Sequence, residues 1–508
     1  MDVHHKDLIA ASLSPLESLA DEFAPEMKVV ERGEVVDLAS GIAQITGLPG
    51  LGYQELVRIT ADDGTIRPGM AVNLDADTAS IILFDDPRGI ASGAEVRRTG
   101  GVLDVPVGEG LIGRVTDGLG RPLDDLGPLV FTERWPIERE APDIMDRQAV
   151  TVPLETGILA IDSMIPIGRG QRELIIGDRQ CGKTSIAVDA IVNQKGKNVT
   201  AIYCAIGISM STVAEVISDL RANGAMAYTI VVAVSGDSTA GLNFIAPFAA
   251  TSMAEYFMSR GRDVLIVYDD LIHHARSYRE LSLLLRRPPA REAFPGDIFY
   301  LHSRLLERST RLSEEKGGGS ITALPIAETE AQNISAYIPT NLISITDGQI
   351  YVSPRLFRQA QLPAIDVLKS VSRVGGQAQS PGLRTLSGEL RLSFAQFEEL
   401  ETFSRLDTAL DDSTRKTLER GLRVREILKQ PLLSPLTAGQ QILLLTVLNA
   451  GVLDELPSAG INAARSDFFK EVNASAPSLM QRLEAGETPA AEDKTAIITI
   501  AQKIFRPV

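Results

Sequence analysis

Residues Gly177 to Thr184 read GDRQCGKT, the pattern G-x-x-x-x-G-K-[ST]. Each fixed position has a physical task. The glycines let the backbone approach an anion and turn N–H groups inward, Lys183 adds a mobile positive charge, and Thr184 offers a hydroxyl to a magnesium ion. The flanks agree with this reading. Glu173-Leu174-Ile175-Ile176 is a short apolar strand before the loop, and TSIAVDAIVN (Thr184 to Asn193) has helical apolar spacing after it. The start of that helix adds its positive end to the cradle. A strand, a phosphate loop and a helix in this order commit the middle of the chain to an α/β fold. The alternative is a plain strand-to-helix turn. The candidate phosphate-binding residues are Gly177, Asp178, Arg179, Gln180, Cys181, Gly182, Lys183, Thr184 and Ser185.

The rest of the chain divides around this centre. With 508 residues, more than one domain is expected. The segment 1–30 carries a helix signal, Ser14-Pro15-Leu16-Glu17, followed by Leu16, Leu19, Ala20 and Phe23 on one face. Residues 31–98 hold short β-like runs (Glu34 to Leu38, Ile42 to Thr46, Glu55 to Thr60, Met70 to Leu74, Ala79 to Phe84, Glu95 to Arg98) separated by Gly, Pro and Asp, the spacing of a small six-stranded barrel. From 99 to 378 buried-strand candidates (Thr200 to Ile206, Tyr228 to Val234, Val264 to Tyr268, Ile321 to Ile326) alternate with helical stretches such as Thr212 to Ala222 and Pro247 to Arg260. That pattern is a mainly parallel sheet with helices on its faces. Residues 379–508 read as helices, with a capping box at Thr437-Ala438-Gly439-Gln440.

Composition excludes several classes. The net charge of −16 argues against a nucleic-acid partner, although it leaves room for a local basic groove. The eight arginines between Arg276 and Arg311 are expected to make ion pairs. Cys181 and Cys204 are too few for a disulfide framework and fit a reduced cytoplasmic setting. The most apolar run, Ile442 to Leu448, is far short of a membrane span of about 18–20 residues. His4 and His5, adjacent on a terminus, read as solvated, with a metal site as the alternative.

A magnesium nucleotide also needs a carboxylate at the end of a neighbouring strand. Val264-Leu265-Ile266-Val267-Tyr268-Asp269-Asp270 supplies it, with Asp269 as the candidate for the magnesium shell and Asp270 as the cap of the next helix. Hydrolysis needs one group more, to orient or deprotonate the attacking water. In RecA-type rotary ATPases this is a Glu just after the strand that follows the P-loop helix. Here that strand leads into Gly207-Ile208-Ser209-Met210, and the alkyl group of Ile208 cannot take a proton. Glu215, further along, is expected to point elsewhere. The residues therefore predict nucleotide binding without efficient turnover.

Longer motifs carry a resemblance. IPIGRGQRELIIGDRQ (Ile165 to Gln180), LSLLLRRPPAREAFPGDIFYLHSRLLER (Leu281 to Arg308), IPTNLISITDGQI (Ile338 to Ile350) and SVSRVGG (Ser370 to Gly376) make the sequence similar to the alpha subunits of F-type ATP synthases over nearly its whole length. The resemblance implies an N-terminal β-barrel, a central RecA-type P-loop domain and a C-terminal helical bundle. It implies ATP or ADP with Mg2+ at a noncatalytic site, in a ring of three such subunits alternating with three beta subunits around a gamma central stalk. Delta and b-type subunits would form a peripheral stalk, and the whole would sit on the cytoplasmic face of the inner membrane, attached only through the complex. Arg373 would act as an arginine finger toward the beta-subunit site, with Ser344 nearby and the loop Arg286 to Pro295 forming a collar around the shaft. Gln430 would lie near the base. Departures from the family pattern are Ile208-Ser209-Met210 for Gln-Lys-Arg, Cys181 for Thr, and Gln430-Pro431-Leu432 for Gln-x-Gln, which weakens the expected hold on the nucleotide. DLIHHARSYRELS points to the alternate branch of the family, which includes sodium-translocating forms. A self-sufficient hexameric motor and a ring subunit without nucleotide are the competing readings.

Overall fold

The computed structural model describes residues 31–388, 390–404, 412–454, 456 and 458–505. The N-terminal helix signal at Ser14 to Phe23 and the two terminal histidines lie outside them. Six strands close into a barrel: β1 (Arg32–Ala39), β2 (Ile42–Thr46), β3 (Glu55–Thr60), β4 (Ile66–Leu74), β5 (Ala79–Leu83) and β6 (Glu95–Val102), in the order β1-β2-β5-β4-β3-β6. Alternating side chains of these strands fill it with Val35, Ile45, Val57, Ile59, Ile81 and Val96, all buried.

The polypeptide leaves the barrel through β7 (Asp104–Val107), β8 (Val115–Thr116) and β9 (Glu133–Pro136). β7 and β9 pair with each other, whereas β8 is an edge of the central sheet. That sheet continues with β10 (Leu174–Asp178), β11 (Val199–Ile208), β12 (Thr229–Ser235), β13 (Asp263–Asp269), β14 (Ser320–Thr329), β15 (Gly348–Val352) and β16 (Val371–Ser372). Its order is β16-β15-β10-β14-β13-β11-β12-β8, parallel throughout except for the β15–β16 pair. Helices cover both faces, so the inner strands are apolar along their length, as in Ala201 to Ile206, rather than alternating.

One helix differs from its expected start. The stretch expected from Pro247 begins at Ala240, with Thr239 as its cap accepting the Leu242 N–H, and Pro247 lies inside it. Proline favours a first turn, but here every residue from Gly241 to Met258 is buried. Packing on all sides outweighs the roughly 3 kcal/mol that an interior proline costs. The capping box at Thr437 and Gln440 forms as expected, ahead of the helix Ala438–Asn449.

Two buried histidines join this proline-containing helix to its neighbours. His274 Nε2 lies 3.0 Å from the Phe244 carbonyl oxygen and His274 Nδ1 lies 3.2 Å from His302 Nε2. The carbonyl can only accept, so Nε2 of each ring carries the proton, and His302 Nδ1 is left without a partner among the described residues. Burial holds His274 down at about 4 and His302 well below the ordinary value. The neutral pair thus stabilises the fold fully above the unfolded value of about 6.5, and the contribution is lost as pH falls toward 4. Between pH 7.5 and 5 this amounts to about 2 kcal/mol for His274. Unfolding midpoints measured across that range should fall less steeply in a His274→Asn, His302→Asn variant than in the native protein; equal slopes would refute the assignment.

Candidate functional site

The loop GDRQCGKT connects β10 to the helix Lys183–Val192 and opens into a cleft of about 790 Å³. Gly182 has φ 93°, the left-handed region that favours glycine. Gly177 is required for another reason than backbone approach to an anion: a Cβ there would stand 2.4 Å from the Val352 carbonyl oxygen on the adjacent β15. Arg179, Gln180, Gly182, Lys183, Thr184 and Ser185 line the cleft. Gly177, Asp178 and Cys181 do not. The Asp178 carboxylate accepts from Thr329 Oγ1 (2.6 Å) and the Gln332 N–H (2.9 Å), while the Cys181 thiol turns back to the Arg179 carbonyl at 3.4 Å. Burial raises that thiol above its ordinary acidity range.

Lys183 Nζ donates to the Asp178 carbonyl at 2.7 Å. Thr184 Oγ1 donates to Asp269 Oδ2 at 2.7 Å, and Tyr203 Oη donates to the same oxygen at 2.8 Å. Burial pushes the Asp269 carboxyl up, and these two hydrogen bonds pull it back. A hydroxyl and a carboxylate in contact at the foot of a phosphate loop form an all-oxygen donor set, which suits a hard cation such as Mg2+. Asp270 caps the helix Leu271–Leu284 by accepting the His273 N–H at 2.9 Å, and burial raises its carboxyl to about 7.

Ile208 ends β11 and forms part of the cleft wall. Four acids not expected from sequence also reach the cleft, one of them Asp219 on the helix Met210–Ala222. Glu328, one residue before the end of β14, lies opposite Gly177 and is ion-paired to Arg179 at 2.8 Å. Asp270 faces the cleft as well as capping its helix. Glu215, expected to point away, lines the cleft from the solvent-exposed side of the helix Met210–Ala222. Glu328 was legible only through strand order: nothing local in AET (Ala327 to Thr329) says that β14 lies next to the P-loop strand.

The outer end of the cleft is apolar. Leu432 and Phe357 line it at 54% and 40% exposure, with Val188 and Val216 beneath. Gln430 does not reach it. Its side-chain oxygen accepts the Leu159 N–H (2.9 Å), and its amide donates to the carbonyls of Gly157 (2.7 Å) and Ser434 (3.2 Å), so the group is consumed in tying the C-terminal segment to the central domain. The Leu433 N–H donates to Asp189 Oδ1 on the P-loop helix at 2.8 Å, which holds the neighbouring Leu432 over the cleft.

Arg373 lies elsewhere. It follows β16, is exposed, and donates from Nη2 to the Ile343 carbonyl at 3.2 Å. Ser344 is next to that carbonyl, on the exposed side of the helix Tyr337–Ile345. In the β15 registers, Ser372 is opposite Gly348 whereas Gly177 is opposite Val352. Arg373 therefore stands at the N-terminal end of the parallel strands and the P-loop at the C-terminal end, roughly 13 Å apart along β15 alone. Arg373 cannot serve its own cleft.

A parallel sheet with a P-loop on one strand and its acid on a strand end two places away defines a P-loop nucleotide-binding protein. Comparison with known proteins narrows this. Residues 28–100 match the beta-barrel domain of the ATP synthase alpha/beta family, residues 157–372 match its nucleotide-binding domain, and residues 379–504 match the family's C terminal domain. The protein belongs to the ATP synthase alpha/beta family. It is 55% identical over 500 residues to ATP synthase subunit alpha 2 of Syntrophotalea carbinolica, an overlap of 98% of the present sequence and 95% of the relative. It is 54% identical over 488 residues to ATP synthase subunit alpha 1 of Marinomonas sp. (96% and 95% covered), and 54% identical over 494 residues to ATP synthase subunit alpha 1 of Chlorobium luteolum (97% and 96% covered). Its similarity within the family thus lies with alpha subunits.

Proposed function

We propose that this protein is the noncatalytic, regulatory alpha subunit of a rotary ATP synthase that translocates protons or sodium ions. It binds Mg-ATP or Mg-ADP in its own cleft and lends Arg373 to the catalytic site of an adjacent beta subunit. The observation that carries this reading is the pairing of a complete phosphate loop, including the 2.7 Å Thr184–Asp269 contact, with an alkyl side chain, Ile208, at the end of β11. The other acids of the cleft do not replace the missing one. Asp269 is held by Thr184 and Tyr203, Asp270 by its helix, and Glu328 by Arg179, while Glu215 rides the solvent rim and Asp219 lies beside Asp189, at the Leu433 end of the cleft. A general base must reach the attacking water with a free lone pair.

Phosphate recognition falls to the loop N–H groups of Gln180 to Ser185, to Lys183 and to Thr184, with Asp269 behind Thr184 to hold the magnesium shell. Bound magnesium would neutralise phosphate charge. The base would rest on Leu432 and Phe357, apolar surfaces that stack without reading its polar edge. Partners in this reading are beta subunits in an alternating ring, a gamma central stalk, and delta and b-type subunits of a peripheral stalk, with no nucleic acid. Among the described residues no helix is long and apolar enough to cross a membrane, which is compatible with attachment to the cytoplasmic membrane face through the complex alone.

The test uses the purified protein. Calorimetric titration should show Mg-ATP binding near one site per molecule, while phosphate release stays at the buffer background. Rapid turnover by the isolated subunit would favour a self-sufficient motor, and no binding of either nucleotide would favour a structural ring subunit.

A further inference from the structure

Glu173 precedes β10, at the end of the strand remote from the P-loop, and is wholly buried. One of its carboxyl oxygens accepts from Gln171 Nε2 at 2.8 Å; the other has no hydrogen-bond partner among the described residues. Space for this carboxyl exists because Gly348 has no side chain: a Cβ there would stand 2.5 and 2.8 Å from the two oxygens. Gly348 is the residue opposite Ser372 in the β15–β16 pair.

Gln171, also wholly buried, links the carboxyl to the surface. Its Nε2 donates to Ser372 Oγ at 3.1 Å as well as to Glu173, and its Oε1 accepts the Gly168 N–H at 2.8 Å. Ser372 Oγ donates to the Pro166 carbonyl at 2.7 Å and accepts the Gly375 N–H at 3.1 Å. A serine oxygen accepting from the N–H three residues on closes a turn, and the two residues enclosed are Arg373 and Val374. The Arg373 N–H is itself fixed to the Asp347 carbonyl at 2.8 Å. Beside its own contacts to the Asp347 and Ile343 carbonyls, the turn that carries Arg373 is thus linked through Ser372 and Gln171 to one buried acid.

We propose that Glu173 is a positioning residue for Arg373, holding the turn through Gln171 and Ser372 so that the guanidinium is presented outward to a neighbouring subunit's nucleotide. Burial favours the neutral carboxyl, pushed the same way by Asp347 and opposed by Arg373. A neutral group beneath the turn supports it without drawing the guanidinium inward, as a carboxylate would. This rests on the reading of Arg373 as an arginine finger.

The experiment measures steady-state ATP hydrolysis by the assembled complex, after assembly is checked by size-exclusion chromatography. Glu173→Ala is expected to lower kcat about 10²-fold, the usual effect of displacing a reacting group by about 1 Å, with KM within about twofold. Glu173→Gln, neutral and of the same shape, should stay near the native rate. The double variant Glu173→Ala, Arg373→Ala should be no slower than Arg373→Ala alone, because the two act as one unit. Should Glu173→Ala fail to assemble, Ser372→Ala cuts the same link with a minimal change of volume and should lower kcat in the same way. A native kcat in Glu173→Ala or Ser372→Ala, or losses that multiply in the double variant, would overturn the positioning role while leaving the finger in place. A native rate in Arg373→Ala would instead refute the finger itself.

Discussion

Arg373→Ala should slow ATP hydrolysis by the assembled complex about 10³-fold or more, the range in which arginine fingers act in other phosphoryl transfers. Assembly should survive, because Arg373 is exposed and its side-chain hydrogen bond to the Ile343 carbonyl is a surface contact that water replaces. Lysine at this position should restore little. A guanidinium is planar and meets two phosphate oxygens at once, whereas an ammonium is a point charge on a shorter reach. The measurement is steady-state hydrolysis with parallel quantification of complex. A rate within a few-fold of native, with normal assembly, would remove the finger from the mechanism.

The second large effect is expected at Lys183. Its ammonium is buried and rests on the Asp178 carbonyl, a contact inside the loop that a phosphate group can replace with a charge-assisted one. Removing it leaves phosphate oxygens in the cleft without their cation, a loss of about 3 kcal/mol for a desolvated charge pair, or roughly 100-fold in Kd. Lys183→Ala should therefore bind Mg-ATP about 100-fold more weakly in calorimetric titration while keeping its unfolding midpoint in the absence of nucleotide. Unchanged affinity would mean that the cleft holds its ligand by the base end alone, against the apolar and half-exposed character of Leu432 and Phe357.

What was legible in the sequence was local. A phosphate loop announces itself because its separate tasks fall on residues within one short stretch. Asp270 as a helix cap and the Thr437–Gln440 box depend on spacings of three residues, and both form. The barrel was legible from alternation and turn residues, since each hairpin is a short-range event. What was not legible depends on which strands become neighbours. Gly177 is excluded from carrying a side chain by Val352, and Glu328 reaches the cleft because β14 lies beside β10. Gln430, which the family resemblance puts near a base, is instead a buried clasp between segments more than two hundred residues apart. Glu215 reaches the cleft because its helix lies along the rim, which periodicity alone cannot report. Pro247 shows the reverse error: a strong local signal was overruled because the helix around it is packed on every side.

The separation of the cleft and Arg373 to opposite ends of the parallel strands gives the protein two different surfaces to offer its neighbours. If Arg373 reaches a beta-subunit nucleotide, as proposed, the surface that offers it is not the one that holds this protein's own ligand. Contacts between unlike surfaces are heterologous, and such contacts close into a ring or run on as a filament. In the proposed alternating ring each alpha subunit would then lend its arginine to the beta subunit on one side alone. The circle acquires a sense, clockwise or anticlockwise, before any shaft is placed inside it.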